Sequence, residues 1–187
     1  LVDDFSNSER VVVERLAELC GKPIRSHAVD CRDRDAIAGV FAEEGAIGGV
    51  VHFAASKSVG ESQQKPVSYY SNNVGSLLVM LDVMAEFEVQ DLVFSSSCTV
   101  YGQPEKLPVT EETPILAPAS VYGATKQICE QILRDTVASG ARPRATLLRY
   151  FNPIGAPPSG PTGELPPGDP QNPIPIKLGR ASCRERA

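Results

Sequence analysis

Tyr122 and Lys126 stand four residues apart in the stretch PASVYGATK, residues 118–126. On a helix that spacing puts both side chains on one face, an ammonium beside a phenol. A phenol has an ordinary pKa near 10, too high to serve as a base at neutral pH, and a cation close by favours the phenolate. Two unit charges about 4 Å apart at an effective dielectric near 20 interact by roughly 4 kcal/mol, or about three pKa units. Lys126 is therefore a sufficient cause for an activated Tyr122. Ser97, the last serine of DLVFSSS, adds a hydroxyl that can share a proton with the phenol or bond a substrate hydroxyl. Together the three suit removal of a proton from an alcohol while a hydride leaves its carbon. A Tyr–Lys pair at this spacing is common by chance, so the fold around it has to supply the specificity.

Short apolar runs alternate with helical stretches along the chain, the signature of repeated βα units around a parallel sheet. ERVVVERLAELCG carries Val12, Leu16 and Leu19 at helical spacing and closes on Gly21, so a helix ends there. PIRSHAVD reads as a strand, DAIAGVFAEE as a helix, and GGVVHFAA as a continuous apolar strand buried on both faces. A long helix runs from about Tyr70 to Glu88, with Val74, Leu77, Leu78, Leu81, Met84 and Phe87 recurring near the helical period. DLVFSSS is a further buried strand, followed by a Pro-rich loop from Gln103 to Pro118. The helix of Tyr122 and Lys126 stops by Gly140, and RATLLRYF is one more strand. After Phe151 the Pro- and Gly-dense NPIGAPPSGPTGELPPGDPQNP forms no regular element. The expected fold is α/β: an open, doubly wound parallel sheet with five strands in this chain.

In such sheets ligands sit beyond the carboxyl ends of the strands. Asp3, Asp30, Phe53 to Lys57, Ser95 to Ser97, and Phe151 with Asn152 all follow predicted strands, and they form a coherent rim. An acidic residue at a strand end, as Asp3 is, bonds the adenosine ribose in dinucleotide-binding folds and disfavours the extra phosphate of NADP. On local grounds Asp3 equally suits a capping turn in DDFSNSE, and Asp30 a cap on the next helix. The glycine-rich loop that cradles a pyrophosphate lies between a first strand and first helix. Gly48–Val50 precedes a strand and cannot substitute for it.

Composition narrows the partners. A chain of 187 residues with 42% hydrophobic and 22% charged residues fits one cored globular domain. A net charge of −5, with no basic stripe and interleaved aromatics, argues against a nucleic-acid surface. No apolar run approaches the roughly 18 residues of a membrane span, and LVDDFSNSER has no secretory signal pattern. The five cysteines lack the close pairing of zinc or redox motifs. Reduced thiols, a cytoplasmic location and no metal are expected. His52, inside an apolar run, is expected to be a core histidine.

HFAASKSVGESQQKP, YYSNNV, FSSSCTVYG, SVYGATK and LLRYFNPIGAPPSG together resemble the extended short-chain dehydrogenase/reductase superfamily and, within it, the UDP-glucose 4-epimerases. The resemblance runs from Leu1 to Ile176. It implies a Rossmann-like sheet truncated at its N-terminus, with the glycine-rich loop before Leu1. Residues 1–151 would be a partial NAD-binding domain and residues 152–176 the start of a substrate region. The basic tail 177–187, KLGRASCRERA, has no family likeness.

Carried over to these positions, the resemblance implies that Tyr122 is the catalytic base, with Lys126 lowering its pKa and binding the nicotinamide ribose. Ser97 would bridge the sugar hydroxyl and Tyr122. Asp3, Asp4, Phe5, Ser6, Asn7 and Ser8 would surround the adenosine ribose, and Asp30 with Cys31 the adenine. Phe53, Ala54, Ala55, Ser56, Lys57, Asn72 and Phe151 would line the NAD, while Asn152 and Asn172 would reach the UDP-sugar. The implied reaction interconverts UDP-glucose and UDP-galactose through transient oxidation at C4, in a homodimer built on the two long helices. Dehydratase relatives need an Asp-Glu pair after the strand-end serine or threonine; here Cys98 and Thr99 stand in SSSCTVYG, with no carboxylate. Two other readings stay open: a non-catalytic piece acting through subunit contacts, and an epimerase of another nucleotide sugar.

Overall fold

The structure, a computed structural model, describes residues 1–140 and 143–152. It divides into two compact units. One holds Leu1, Asp3–Ala28 and, among the described residues, Asn152; the other holds Val2 and Val29–Phe151.

The short strands β1 (Val2–Asp3) and β2 (His27–Ala28) form a two-stranded sheet, with the His27 N–H donating to Leu1 O at 2.9 Å. The strand expected over PIRSHAVD is thus reduced to two residues. Between them α1 (Val11–Cys20) closes on Gly21 at φ 64°, a left-handed position that costs glycine little. The predicted stripe forms, yet no residue of α1 is fully buried, and Val12 and Leu19 stay exposed.

The second unit carries α2 (Arg34–Glu44), β3 (Gly49–His52), α3 (Val59–Gln64), α4 (Pro66–Glu86), β4 (Asp91–Ser97), a 3-10 turn (Cys98–Tyr101), α5 (Val121–Ala138) and β5 (Arg144–Tyr150). The three strands are parallel in the order β3-β4-β5, with His52 beside Phe94 and Ser97 beside Tyr150. Among the described residues the five strands are present, distributed over two sheets. Caps start the helices where the sequence supplies short polar side chains. Asp33 accepts from the Ala36 N–H at 3.0 Å, Ser58 from Glu61 at 3.3 Å and Ser120 from Gly123 at 3.0 Å. Pro66 opens α4, where its missing N–H costs nothing.

The core joins Ile37 and Phe41 of α2, Leu77, Met80, Val83 and Met84 of α4, Leu92 and Phe94 of β4, and Cys129 and Leu133 of α5. Each such large side chain contributes about 1.5–3 kcal/mol by leaving water, which is what holds α4 and α5 against the sheet. Two expectations need correction. The long helix starts at Pro66, four residues early, because Pro66 is a favoured first helical residue. And β3 is not buried on both faces: His52 is enclosed, but Val51, pointing the other way on an edge strand, is 58% exposed. No helix among the described residues is long and apolar enough to cross a membrane.

Candidate active site

Ser97, Tyr122 and Lys126 do come together, all within the second unit. Ser97 ends β4 and caps the 3-10 turn, its Oγ accepting from the Thr99 N–H at 3.2 Å and Thr99 Oγ1 at 3.0 Å. Tyr122 lies in the first turn of α5. Gly123, next to it, lets that turn approach the 3-10 turn closely, since a Cβ there would stand 3.1 Å from Thr99 O. The Tyr122 N–H donates to the buried Ser62 Oγ of α3 at 3.1 Å, which fixes the start of the helix.

Burial pushes the Tyr122 phenol above its ordinary pKa; its hydrogen bond with Ser97 pulls the value back, and the neighbouring Cys98 adds to the upward push. Lys126 does not exert the tuning expected of it here. Its Nζ donates to Ser95 O at 2.7 Å, sits 4.8 Å from the Phe94 ring centroid and 5.9 Å from that of Tyr122. Only 3% of Lys126 is exposed, and burial brings its own pKa down to about 8. The ammonium is bolted to the strand rather than to the phenol.

The other rim residues of this unit fall into two groups. Phe53 and Phe151 are about three-fifths exposed at the ends of β3 and β5, and Phe53 stacks on Tyr150 with centroids 6.2 Å apart. Ala54 and Lys57 are exposed, Ala55 and Ser56 half-buried. Ser56 is held in place: its N–H donates to Asn73 Oδ1 at 2.8 Å, its carbonyl accepts from Asn73 Nδ2 at 3.0 Å, and its hydroxyl accepts from Asn72 at 3.2 Å. Asn73 also reaches Thr125 Oγ1, whose hydroxyl donates to the Tyr122 carbonyl. Asp30 does not cap α2, a role Asp33 fills. Its carboxylate instead takes Arg32 Nε and Nη2, which hold its pKa below the usual range. Cys31 is half-buried.

In the first unit, Asp3 organises its own turn: Oδ1 accepts from the Phe5 N–H at 2.7 Å and Ser8 Oγ at 2.8 Å. Asp4 does the same for Ser6, through its N–H and its hydroxyl. Phe5 takes a left-handed φ of 56° beneath the Arg10 guanidinium, 4.7 Å from its ring. Asn7 is exposed at the turn's tip, and Asn152 is exposed too. Asn172 lies outside the described residues.

Sequence reading missed Asn73, Ser62, Tyr150 and Glu130, all tied to the site's scaffold. The available signal was a polar residue at an inward helical position: Asn73 falls between Tyr69 and Leu77 on the buried face of α4.

A serine thus stands at the end of a central parallel strand, with a tyrosine and a buried lysine one turn apart on the next helix. The chain belongs to the NAD dependent epimerase/dehydratase family, whose description matches residues 3–167. It is 46% identical to UDP-glucose 4-epimerase 2 of Arabidopsis thaliana over 96% of this chain and 53% of that protein. It is 45% identical to the UDP-glucose 4-epimerase of Bacillus subtilis (strain 168), over 94% and 51%. Among solved structures, UDP-glucose 4-epimerase from Bifidobacterium longum in complex with NAD+ and UDP superposes with a TM-score of 0.88 at 48% identity, covering 91% of this chain and 51% of that one. The enzyme from Stenotrophomonas maltophila with bound NAD and formylated UDP-arabinopyranose gives 0.92 at 43% identity, over 97% and 53%. The chain spans about half the length of the curated relatives it matches.

Proposed function

We propose that the protein carrying this chain interconverts UDP-glucose and UDP-galactose by transient, NAD-dependent oxidation at sugar C4. The observation that supports this most is the Ser97–Tyr122–Lys126 group at the strand ends, in a chain 43–48% identical to proteins named UDP-glucose 4-epimerases. The residues present fit NAD. Flat, exposed aromatic faces at Phe53, Tyr150 and Phe151 suit a planar ring and its ribose, and the buried Lys126 ammonium suits ribose hydroxyls. When bound, NAD+ supplies the hydride acceptor and a positive ring whose charge favours the phenolate.

Tyr122 then takes the proton from the C4 hydroxyl and returns it once the 4-keto sugar presents its other face. Ser97 holds that oxygen by hydrogen bonding on the side of Tyr122. Lys126 orients the ribose. In this reading Asp3 to Ser8 surround the adenosine ribose and Asp30 with Cys31 the adenine. Phe53 to Lys57, Asn72 and Phe151 line the NAD, and Asn152 and Asn172 meet the UDP-sugar. Residues 1–151 are the cofactor-binding part and 152–176 open the substrate region, while residues 177–187 lie past the family match. A homodimer belongs to the same reading, supported by exposed Leu78 on α4 and Ile128 and Val137 on α5, and so does a cytoplasmic location.

The test is the complete purified protein given UDP-glucose with no added NAD. UDP-galactose, followed by proton NMR of the anomeric signals, is the expected product. Retained NAD with no turnover of UDP-glucose would overturn the substrate assignment.

A further inference from the structure

Tyr122, Lys126 and Glu130 follow at four-residue spacing and so share one stripe of α5. Glu130 has no solvent exposure. Its Oε1 accepts from Ser96 Oγ at 2.6 Å and Arg149 Nε at 2.9 Å; its Oε2 accepts from Arg149 Nη2 at 2.7 Å and Arg134 Nη2 at 2.6 Å. Arg149 extends the link, its Nη1 donating to the Tyr101 hydroxyl at 2.9 Å while its guanidinium lies 4.8 Å from that ring's centroid. One carboxylate on the helix is thereby tied to β4 at the residue before Ser97, to β5, and through Arg149 to the 3-10 turn that follows Ser97.

A buried ion pair is weak support for stability, because a well-packed apolar replacement is often as good. What a bidentate guanidinium–carboxylate fork supplies is geometry: it fixes distance and angle where apolar surfaces permit sliding. A slide of α5 along its axis would carry the Tyr122 phenol away from Ser97 by the same amount. A misplacement of about 1 Å in a reacting group can cost about 100-fold in rate.

We propose that Glu130 is a positioning residue for the Tyr122–Ser97 pair, pinning α5 to β4 and β5 through Ser96 and Arg149 so that the phenol stays in register with the end of β4. The inference rests on the functional reading above. It assigns Glu130 no contact with sugar or NAD.

The experiment compares epimerisation kinetics of the complete protein with those of Glu130→Gln and Ser96→Ala. Glu130→Gln keeps the shape and removes the charge; Ser96→Ala removes one bond to the carboxylate and strands no ion. Expected are a fall in kcat of about 10- to 100-fold for Glu130→Gln and about 3- to 10-fold for Ser96→Ala. KM for UDP-glucose stays within about twofold, because binding groups are untouched. A merely structural role would lower the melting temperature and leave kcat per folded molecule unchanged, and that result overturns the inference. Should Glu130→Gln not fold, the kcat of Ser96→Ala decides alone. Inactivity of the unsubstituted protein would overturn the functional reading and the inference with it, whereas an active parent with unimpaired variants overturns only the inference.

Discussion

Lys126 donates to the Ser95 carbonyl at 2.7 Å, while its ammonium stands 5.9 Å from the ring centroid of Tyr122, one helical turn before it. The lysine thus fastens α5 to the strand that ends in Ser97. It does so as a buried cation, with its pKa drawn down to about 8 by desolvation. Position and charge state of this one residue link the fold to the chemistry.

That burial has a pH signature. The folded-state pKa lies below the unfolded value of 10.5, so between about pH 8 and 10.5 the unfolded chain binds more protons, and stability rises with pH across that window. Below it the protein carries the full cost of an enclosed ammonium, about 3 kcal/mol. Lys126→Met has no such cost to relieve. Urea midpoints from pH 7 to 10.5 should show the unsubstituted protein gaining on Lys126→Met by about 3 kcal/mol. A flat difference would mean that the ammonium is solvated.

Tyr122→Phe keeps the ring, the backbone bond to Ser62 and the helix start, and removes only the phenolic oxygen. Turnover should fall by about 10²–10⁴-fold, the usual contribution of a positioned acid–base group. Bound NAD, read from the absorbance of the denatured supernatant, should stay at the parent level. Loss of NAD together with activity would reassign the tyrosine to cofactor binding.

The two adjacent asparagines should separate. Asn73 satisfies both the N–H and the carbonyl of Ser56 and is itself buried, so Asn73→Ala strands two backbone groups. A loss of about 2–4 kcal/mol follows, with weaker NAD retention as the loop after β3 loosens. Asn72 reaches only the Ser56 hydroxyl and its neighbour's amide oxygen. Asn72→Ala should cost less than about 1 kcal/mol. Chemical denaturation of both variants checks the order.

How far the sequence carried depended on whether a residue's role was local. The α5 helix and the Ser97 strand end were legible because period, caps and strand composition are local signals. Tyr122 and Lys126 were legible as a pair for the same reason. The direction of the phenol's shift was not, because burial sets it, while the Lys126 ammonium is held by the Ser95 carbonyl of β4. Asn73 escaped because its partners lie 17 and 52 residues away. Asp3 makes the local bonds of a turn yet caps no helix, since Arg10 holds the N-cap position of α1 without a side-chain bond.

Gly102 is where the backbone leaves no choice. It has φ 65°, and a Cβ there would stand 2.5 Å from the Ala117 carbonyl oxygen. Both strain and overlap oppose Gly102→Ala, each of order 1–3 kcal/mol. A loss of about 3 kcal/mol or more is expected in thermal unfolding, together with reduced activity, since Gly102 closes the turn that carries Thr99. A parent-like melting temperature would show that the loop moves away freely.

His52 contributes to the acid sensitivity of the fold. It is 3% exposed, lies parallel to the Phe94 ring with centroids 6.0 Å apart, and has Ser76 Oγ at 3.4 Å from Nε2. Burial, reinforced by the Lys126 ammonium, lowers its pKa to about 4. The unfolded histidine titrates at 6.5, so between pH 6.5 and about 4 the unfolded chain binds the extra proton and stability falls as the pH falls. Above pH 6.5 both states hold a neutral ring and the contribution is fully present. The loss accumulated by pH 4 is about 3 kcal/mol. His52→Gln lacks this proton, so its stability relative to the parent should improve by that amount between pH 7 and pH 4. Paired guanidinium titrations at the two pH values measure the difference directly. No change between them would mean that His52 opens to solvent in the native state, and the enclosure of His52 described for β3 would have to be abandoned.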